Sequence, residues 1–273
     1  MTGVNKPVLD NQSRINHLKS KQNILIMHQN IQHLSSRLDQ FQINLEEIKP
    51  DILALSEHKM TDADIKYLNL SDYILRSHFS RSSTVGGGVM ILAKKGVVSK
   101  DVSIPVMQEI VTDKEFECCL TEFTMSGYSF VLACVYRSPT NYNVGPFLSK
   151  LEILIEALSN SYSNVVITGD FNINVLKHDN VYKNFCSILQ MYNMDYKINF
   201  PTRVTAKSKT AIDNFITNIN NKQLLSGGII TSISDHDAQY LQIFGLKNTH
   251  TNNIKKTCRK FTNDNFYLFF KYL

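Results

Sequence analysis

The residues best suited to chemistry fall in two short stretches, Gly169-Asp170-Phe171-Asn172 and Ser234-Asp235-His236. Each sets an acid beside a hydrogen-bonding partner, next to an apolar run that reads as a buried strand. Val165-Val166-Ile167 leads into the first stretch. Gly227-Gly228-Ile229-Ile230 precedes the second and Tyr240-Leu241-Gln242-Ile243 follows it. In extended backbone, residues two apart share a face, so Asp170 and Asn172 are expected to point the same way. The Asp235-His236 pair offers a metal ligand and a group able to stabilise a transition state. Together these types suit hydrolysis of a phosphate ester.

Other candidates share one position, just beyond the C-terminal end of an apolar strand. Asn30 follows Asn23-Ile24-Leu25-Ile26-Met27, Glu57 follows Asp51-Ile52-Leu53-Ala54-Leu55, and Tyr136 closes the run that begins at Phe130. Ligands of open α/β sheets bind at such strand ends, so the recurrence says more than any one residue. Taken singly, each has a plainer role. Asn30 would cap the helix that follows, Glu57 would be a solvated loop acid, and Tyr136 a half-buried strand aromatic. Asp213 lies among apolar residues in Ala211-Ile212-Asp213-Asn214-Phe215. An acid so placed needs a partner, and His236 is a candidate. Arg137 and Arg203 are either surface residues or phosphate contacts. His28, His33, His58, His78 and His178 have no metal-ligand spacing. Gly86-Gly87-Gly88 lacks the Gly-Lys-Ser/Thr of a P-loop and reads as a turn. No Gly-x-Ser-x-Gly nucleophile elbow occurs.

The elements that must position these residues follow from hydrophobic spacing. Asn23–Met27 and Asp51–Leu55 are buried strands. Between them Leu34, Leu38, Phe41, Leu45 and Ile48 recur at helical spacing, and Pro50 ends that helix. Val89–Leu92 is a strand after the glycine turn. Cys118–Phe123 and Phe130–Tyr136 form a hairpin around Ser126-Gly127. Phe147–Leu158 and Tyr182–Met191 are helices. Val165–Thr168, Ile212–Thr217, Gly228–Thr231 and Gln239–Phe244 complete the strands. Early alternation of strand and helix with hairpins in the middle predicts stacked mixed sheets with helices outside. Residues 1–20 read as a polar tail and 21–246 as one domain. Residues 247–273 read as a linker followed by the start of a missing C-terminal region.

With 273 residues and 43% apolar content, the chain can build a sizeable core. No run is long enough for a membrane span. Met1–Lys21 lacks an apolar signal core, which argues against secretion. The odd set Cys118, Cys119, Cys134, Cys186 and Cys258 contains no C-x-x-C, so a disulfide scaffold or structural zinc site is not expected. A reducing compartment, nuclear or cytoplasmic, fits better. A net charge of +5 permits nucleic-acid binding without demanding it. Basic residues gather at Arg203, Lys207 and Lys209 and at Lys255, Lys256, Arg259 and Lys260.

An ordered set of motifs resembles the endonuclease/exonuclease/phosphatase superfamily: Gln29-Asn30-Ile31, Leu55-Ser56-Glu57, Val135-Tyr136-Arg137-Ser138-Pro139, Gly169-Asp170-Phe171-Asn172, Thr210-Ala211-Ile212-Asp213 and Ser234-Asp235-His236. Gly86-Gly87-Gly88-Val89, Tyr136-Arg137-Ser138-Pro139, Pro201-Thr202-Arg203 and Ser234-Asp235-His236-Asp237-Ala238-Gln239 resemble its non-LTR retrotransposon branch, the apurinic-like endonuclease domains. The resemblance implies a four-layer α/β sandwich of two facing mixed sheets. It implies Glu57 as the principal Mg²⁺ ligand, with Asn30 and Asp235 near the metal and Mn²⁺ as a possible substitute. Asp170 would activate water, and Asn172 would hold Asp170 or the phosphate. His236, oriented by Asp213, would donate to the non-bridging oxygens, and Tyr136 would bond the phosphate. Position 32 departs from the pattern: abasic-site repair enzymes carry an Asp where this chain has Gln32.

These features imply a Mg²⁺-dependent DNA endonuclease leaving a 3′ hydroxyl. Any fused reverse transcriptase is absent from this chain. One rival is a phosphatase of the same fold. Inositol phosphatases of the superfamily have Trp-Cys-Asp-Arg where this chain has Ala211-Ile212-Asp213-Asn214, and the chain has no Trp. The other rival is a domesticated, non-catalytic nuclear binding protein, against which the intact acids and His236 argue.

Overall fold

Unbroken apolar runs become strands covered on both faces, and residues spaced by three and four become helices that cover them. The computed structural model describes residues 23–70, 72–82, 84, 86–125, 127–139 and 143–244. The expected tail, the linker, the C-terminal segment and the second basic cluster lie outside the described residues. The first half runs β1 (Ile24–Asn30), α1 (Leu38–Ile48), β2 (Ile52–Ser56), α2 (Asp62–Ile65), β3 (Tyr73–Phe79), β4 (Val89–Lys94), β5 (Val98–Asp101), α3 (Met107–Ile110), β6 (Glu117–Met125) and β7 (Tyr128–Tyr136). The second half runs α4 (Val144–Ser161), β8 (Val165–Asp170), α5 (Asn180–Met191), β9 (Asp195–Tyr196), β10 (Arg203–Val204), β11 (Lys209–Thr210), β12 (Asp213–Thr217), β13 (Leu224–Ile229) and β14 (Ala238–Ile243).

Two six-stranded sheets result, ordered β13-β14-β1-β2-β4-β3 and β5-β6-β7-β8-β12-β9. In each, the central pair is parallel and every other pairing is antiparallel. A parallel pair needs a crossover. Helix α1 supplies it between β1 and β2, and α4 between β7 and β8. Alternation along β1 sends Ile24 and Ile26 toward the other sheet, with Val166 and Phe215, and sends Leu25 and Met27 toward Phe41 and Leu45 of α1. On the far side Leu151, Leu154 and Leu158 of α4 and Phe185 of α5 cover the second sheet. Helix, sheet, sheet and helix form the expected four-layer α/β sandwich. Fully burying one such side chain contributes roughly 1.5–3 kcal/mol, so the three apolar layers account for its cohesion.

The parallel pairs place the chemistry. In the first sheet Asn30 lies beside Ser56, and Glu57 follows directly. In the second Tyr136 lies beside Asp170, and Asp170 lies beside Asp213. Gly169 makes the β7–β8 pairing possible. At its φ of +149° a Cβ would sit 1.8 Å from the Val135 carbonyl oxygen, so no side chain fits there. Pro50 follows Lys49, which closes α1 in the left-handed conformation and donates its N–H to the Leu45 carbonyl.

Candidate active site

Asn30 joins the two sheets. It is fully buried at the end of β1. Its Nδ2 donates to Glu57 Oε1 over 3.1 Å and to Asp170 Oδ2 over 2.9 Å. It does not cap α1, which has no side-chain cap. Glu57 also accepts from the Tyr136 hydroxyl over 3.0 Å and faces Lys59 Nζ at 3.0 Å. Burial and the Glu57 carboxylate push the Tyr136 pKa far above its ordinary value, so the hydroxyl stays a donor. Glu57 has a φ of +53°. Left-handed backbone at a non-glycine residue costs about 1–3 kcal/mol and persists only where neighbours enforce it. His33 N–H donates to the Glu57 carbonyl over 2.9 Å, and Lys59 N–H donates to the Gly87 carbonyl over 2.9 Å. The next residue, His58, is buried, accepts from Met60 N–H at Nδ1 and donates from Nε2 to the Phe79 carbonyl.

A second group lies on the other side of Asp170. His236 and Asp213 are both buried, and Nδ1 of His236 donates to Asp213 Oδ2 over 2.8 Å. Burial disfavours charge on His236, but Asp213, Asp170 and Asp235 outweigh it and hold its pKa at about 9. The imidazole is thus a cation at neutral pH. Asp170 is enclosed, and burial together with Asp213 pushes its pKa up to about 8, against the pull of His236 and of the Asn172 N–H. Thr202 was not singled out from the sequence, yet it is buried and donates its hydroxyl to Asp213 Oδ2 over 2.7 Å. The need of a buried acid for more than one donor was the signal that could have found it, since Pro201-Thr202-Arg203 stood out as a motif. Ser234 and Gln29 tie the His236 loop to β1: Ser234 donates to the Asn30 carbonyl and Gln29 to the His236 carbonyl.

Three residues sit differently from expectation. The strand ends at Asp170, and Asn172 has a φ of +50°, so the pair does not lie in extended backbone. Asn172 holds Asp170 through its backbone N–H over 3.0 Å, while its side chain donates to the Arg137 carbonyl over 2.6 Å. Arg137 is buried rather than turned outward as a phosphate contact. Its guanidinium donates to the Phe171 and Asn172 carbonyls and lies 5.8 Å from the Phe147 ring centre. The turn at Asp170 leaves carbonyls pointing inward, and Arg137 satisfies them. Asp235 is half-buried and accepts from Arg203 Nε over 2.7 Å and from the Gln32 side chain. Those donors outweigh burial and hold its pKa low. Asp235 Oδ1 is 3.9 Å from His236 Nε2. Its bonded partners are thus Arg203 and Gln32, while Glu57 and Asn30 bond one another.

Two donor sets could hold a cation. Ligand atoms of Asp170, Asp213 and His236 lie within 4.8 Å of one another. His236 is committed to Asp213 through Nδ1, however, and a protonated imidazole offers no lone pair. The second is the Glu57 carboxylate, a hard oxygen donor; Asn30 presents its Nδ2 to Glu57 and turns its amide oxygen to the Gln32 N–H over 3.2 Å. That carboxylate fits Mg²⁺, which is commonly held by one or two carboxylates and keeps several waters.

The model of the Endonuclease/Exonuclease/phosphatase family matches residues 27–236. No curated protein matches the chain. Solved structures do. The endonuclease domain of TRAS1, a telomere-specific non-LTR retrotransposon, is 12% identical, with a TM-score of 0.63 over 81% of this chain and 98% of that one. The AP endonuclease LMAP from Leishmania major is 12% identical, with a TM-score of 0.66 over 89% and 93%. A 3′ phosphatase from Neisseria, bound to a product DNA hairpin, is 18% identical, with a TM-score of 0.62 over 81% and 99%. At these identities the likeness is one of fold. The family match spans both halves of the sandwich and every residue of the Asn30–His236 site, and this chain belongs to the endonuclease/exonuclease/phosphatase family of hydrolytic phosphoesterases.

Proposed function

We propose that the chain is a Mg²⁺-dependent DNA endonuclease that hydrolyses a phosphodiester and leaves a 3′ hydroxyl. We assign it to target nicking by a non-LTR retrotransposon. The observation that carries the reading is the placement of Asp170. It is buried between the Asn30–Glu57–Tyr136 cluster on one side and the His236–Asp213 pair on the other. A carboxylate with a raised pKa is suited to take a proton from water near neutral pH. Asp170 takes that proton as the water oxygen attacks phosphorus. The P–O3′ bond breaks, its electron pair leaves with the 3′ oxygen, and solvent protonates that oxygen. His236, held cationic by Asp213, donates to a non-bridging oxygen as charge accumulates there. Tyr136, whose hydroxyl proton reaches Glu57 in this structure, would turn that donor to the phosphate. Mg²⁺ held at Glu57 would supply Lewis-acid stabilisation of the same charge, leaving Asp170 free to take the proton. Arg203, on the short β10–β11 hairpin, carries charge that can meet a phosphate beside Asp235.

Support comes from the likeness to a retrotransposon endonuclease domain and to a phosphatase bound to DNA. Among the described residues no helix is long and apolar enough to cross a membrane. The end chemistry tests the reading. Plasmid nicked by the chain is expected to serve directly as a primer for a DNA polymerase. Ends that need phosphatase treatment before extension would contradict a 3′-hydroxyl product. Release of phosphate from a terminal monoester, without any nicking, would favour the phosphatase reading.

A further inference from the structure

One buried charge pair has no part in the hydrolysis described above. Glu117, at the start of β6, is fully buried, and the Arg81 side chain is only 7% exposed. Arg81 Nε donates to Glu117 Oε1 over 2.6 Å, and Nη2 lies 2.6 Å from the same oxygen. The Gly88 N–H donates to Oε2 over 2.5 Å and the Lys114 N–H to Oε1 over 2.9 Å. Burial raises the Glu117 pKa, and these donors oppose that rise. A buried pair contributes little net stability, because desolvating two ions offsets their attraction. What the pair holds in place explains it better.

It holds two parts of the site. The Arg81 guanidinium carbon lies 5.9 Å from the centre of the Tyr136 ring, within cation–π range. Tyr136 is the residue whose hydroxyl reaches Glu57. The guanidinium also packs against Gly87, where a Cβ would sit 2.4 Å from Arg81 Nε. Gly88 packs against His58 just as closely, a Cβ there falling 2.4 Å from His58 Nε2. The Gly87 carbonyl accepts from the Lys59 N–H over 2.9 Å. The loop clasped by Arg81 and Glu117 therefore clasps the segment that follows Glu57.

We infer that Arg81 and Glu117 are positioning residues for the hydrolysis. The pair fixes the Tyr136 ring and the Gly86–Gly88 loop, and through them the Tyr136 hydroxyl and the Glu57 carboxylate. The inference rests on the endonuclease reading above. Neither residue touches the substrate.

The test compares the wild-type chain with Arg81→Met, Arg81→Lys, Tyr136→Phe, Arg81→Met combined with Tyr136→Phe, and Arg81→Met combined with Glu117→Gln. The last variant removes both charges and so leaves no lone buried ion to unfold the chain. Single-turnover nicking of supercoiled plasmid gives the rate at saturating DNA and the DNA concentration for half that rate. Loss of Arg81 is expected to lower the saturated rate about tenfold or more, as small misplacements of reacting groups do, with half-saturation unchanged. Arg81→Lys recovers part of the rate. In the Tyr136→Phe background the further loss is smaller than in wild type, because the part that passes through the Tyr136 ring is already gone and only the part that passes through the glycine loop to Glu57 remains. Equal losses in both backgrounds, or an effect confined to half-saturation, would overturn the inference. A second readout needs no turnover: meta-fluorotyrosine at position 136, followed by fluorine NMR. Arg81→Met is expected to shift or split its resonance, and an unmoved resonance overturns the inference. If wild type does not nick, the endonuclease reading fails, and the fluorine signal alone decides whether Arg81 sets the Tyr136 ring.

Discussion

At the scale of the residue, the site is an arrangement of charge around Asp170. Asn30 and the Asn172 N–H hold its two oxygens, while His236 and Asp213 set its electrostatics. With a pKa of about 8 for Asp170 and about 9 for His236, the proposed roles make the rate expected to rise with pH as Asp170 loses its proton and to fall as His236 loses its own. Nicking is thus expected to follow a narrow bell on the alkaline side of neutral. Asp213 raises both groups, so Asp213→Asn moves both limbs to lower pH, by about one unit or more for removal of a close charge. A rate profile of that variant with its falling limb unmoved would show that Asp213 does not set His236. Asp170, Asp213 and His236 were legible in the sequence, because an acid or imidazole beside an apolar strand has few places to go. The orientation of Asn172 and the burial of Arg137 were not. They depend on a left-handed turn after Asp170 and on carbonyls it leaves inside, and neither has a local signature.

At the scale of the element, one glycine decides whether β7 and β8 can pair. Gly→Ala stabilises a chain where the backbone tolerates it. Gly169 is the opposite case, with its φ of +149° and the Val135 carbonyl in the way. Gly169→Ala is expected to cost about 4 kcal/mol or more, in the exceptional range for a single change. That loss lowers the melting temperature by roughly 8 °C or more. A thermal melt within two degrees of wild type, read as about 1 kcal/mol or less, would mean that β7 and β8 do not approach as described. Strands covered on both faces were visible as apolar runs in β1, β2 and β8, while β12 showed only as apolar residues around Asp213. The edge strands β3 and β5 were not, since Arg76, Ser77 and His78 in one and Ser99, Lys100 and Asp101 in the other break any apolar pattern. The strands of two residues, β9, β10 and β11, are too short for periodicity to register.

At the scale of the molecule, the two sheets repeat one design. Each has a parallel pair at its centre, and the ends of those pairs meet across the sandwich at Asn30, Glu57, Tyr136 and Asp170. The layer order could be anticipated from the mix of alternating and hairpin segments, and the order of motifs anticipated the family. The meeting of Asn30 with Glu57 and Asp170 could not, because it depends on how the sheets stack. The measurement to make first is nicking of supercoiled plasmid by the purified chain, with Mg²⁺ and with EDTA, beside Asp170→Asn. Wild type is expected to relax the plasmid only with Mg²⁺. Asp170→Asn, which keeps the side-chain shape but cannot take a proton, is expected to be slower by about 10²–10⁴-fold. Nicking by the variant at the wild-type rate would contradict Asp170 as the base, and absence of nicking by folded wild type would contradict an endonuclease altogether.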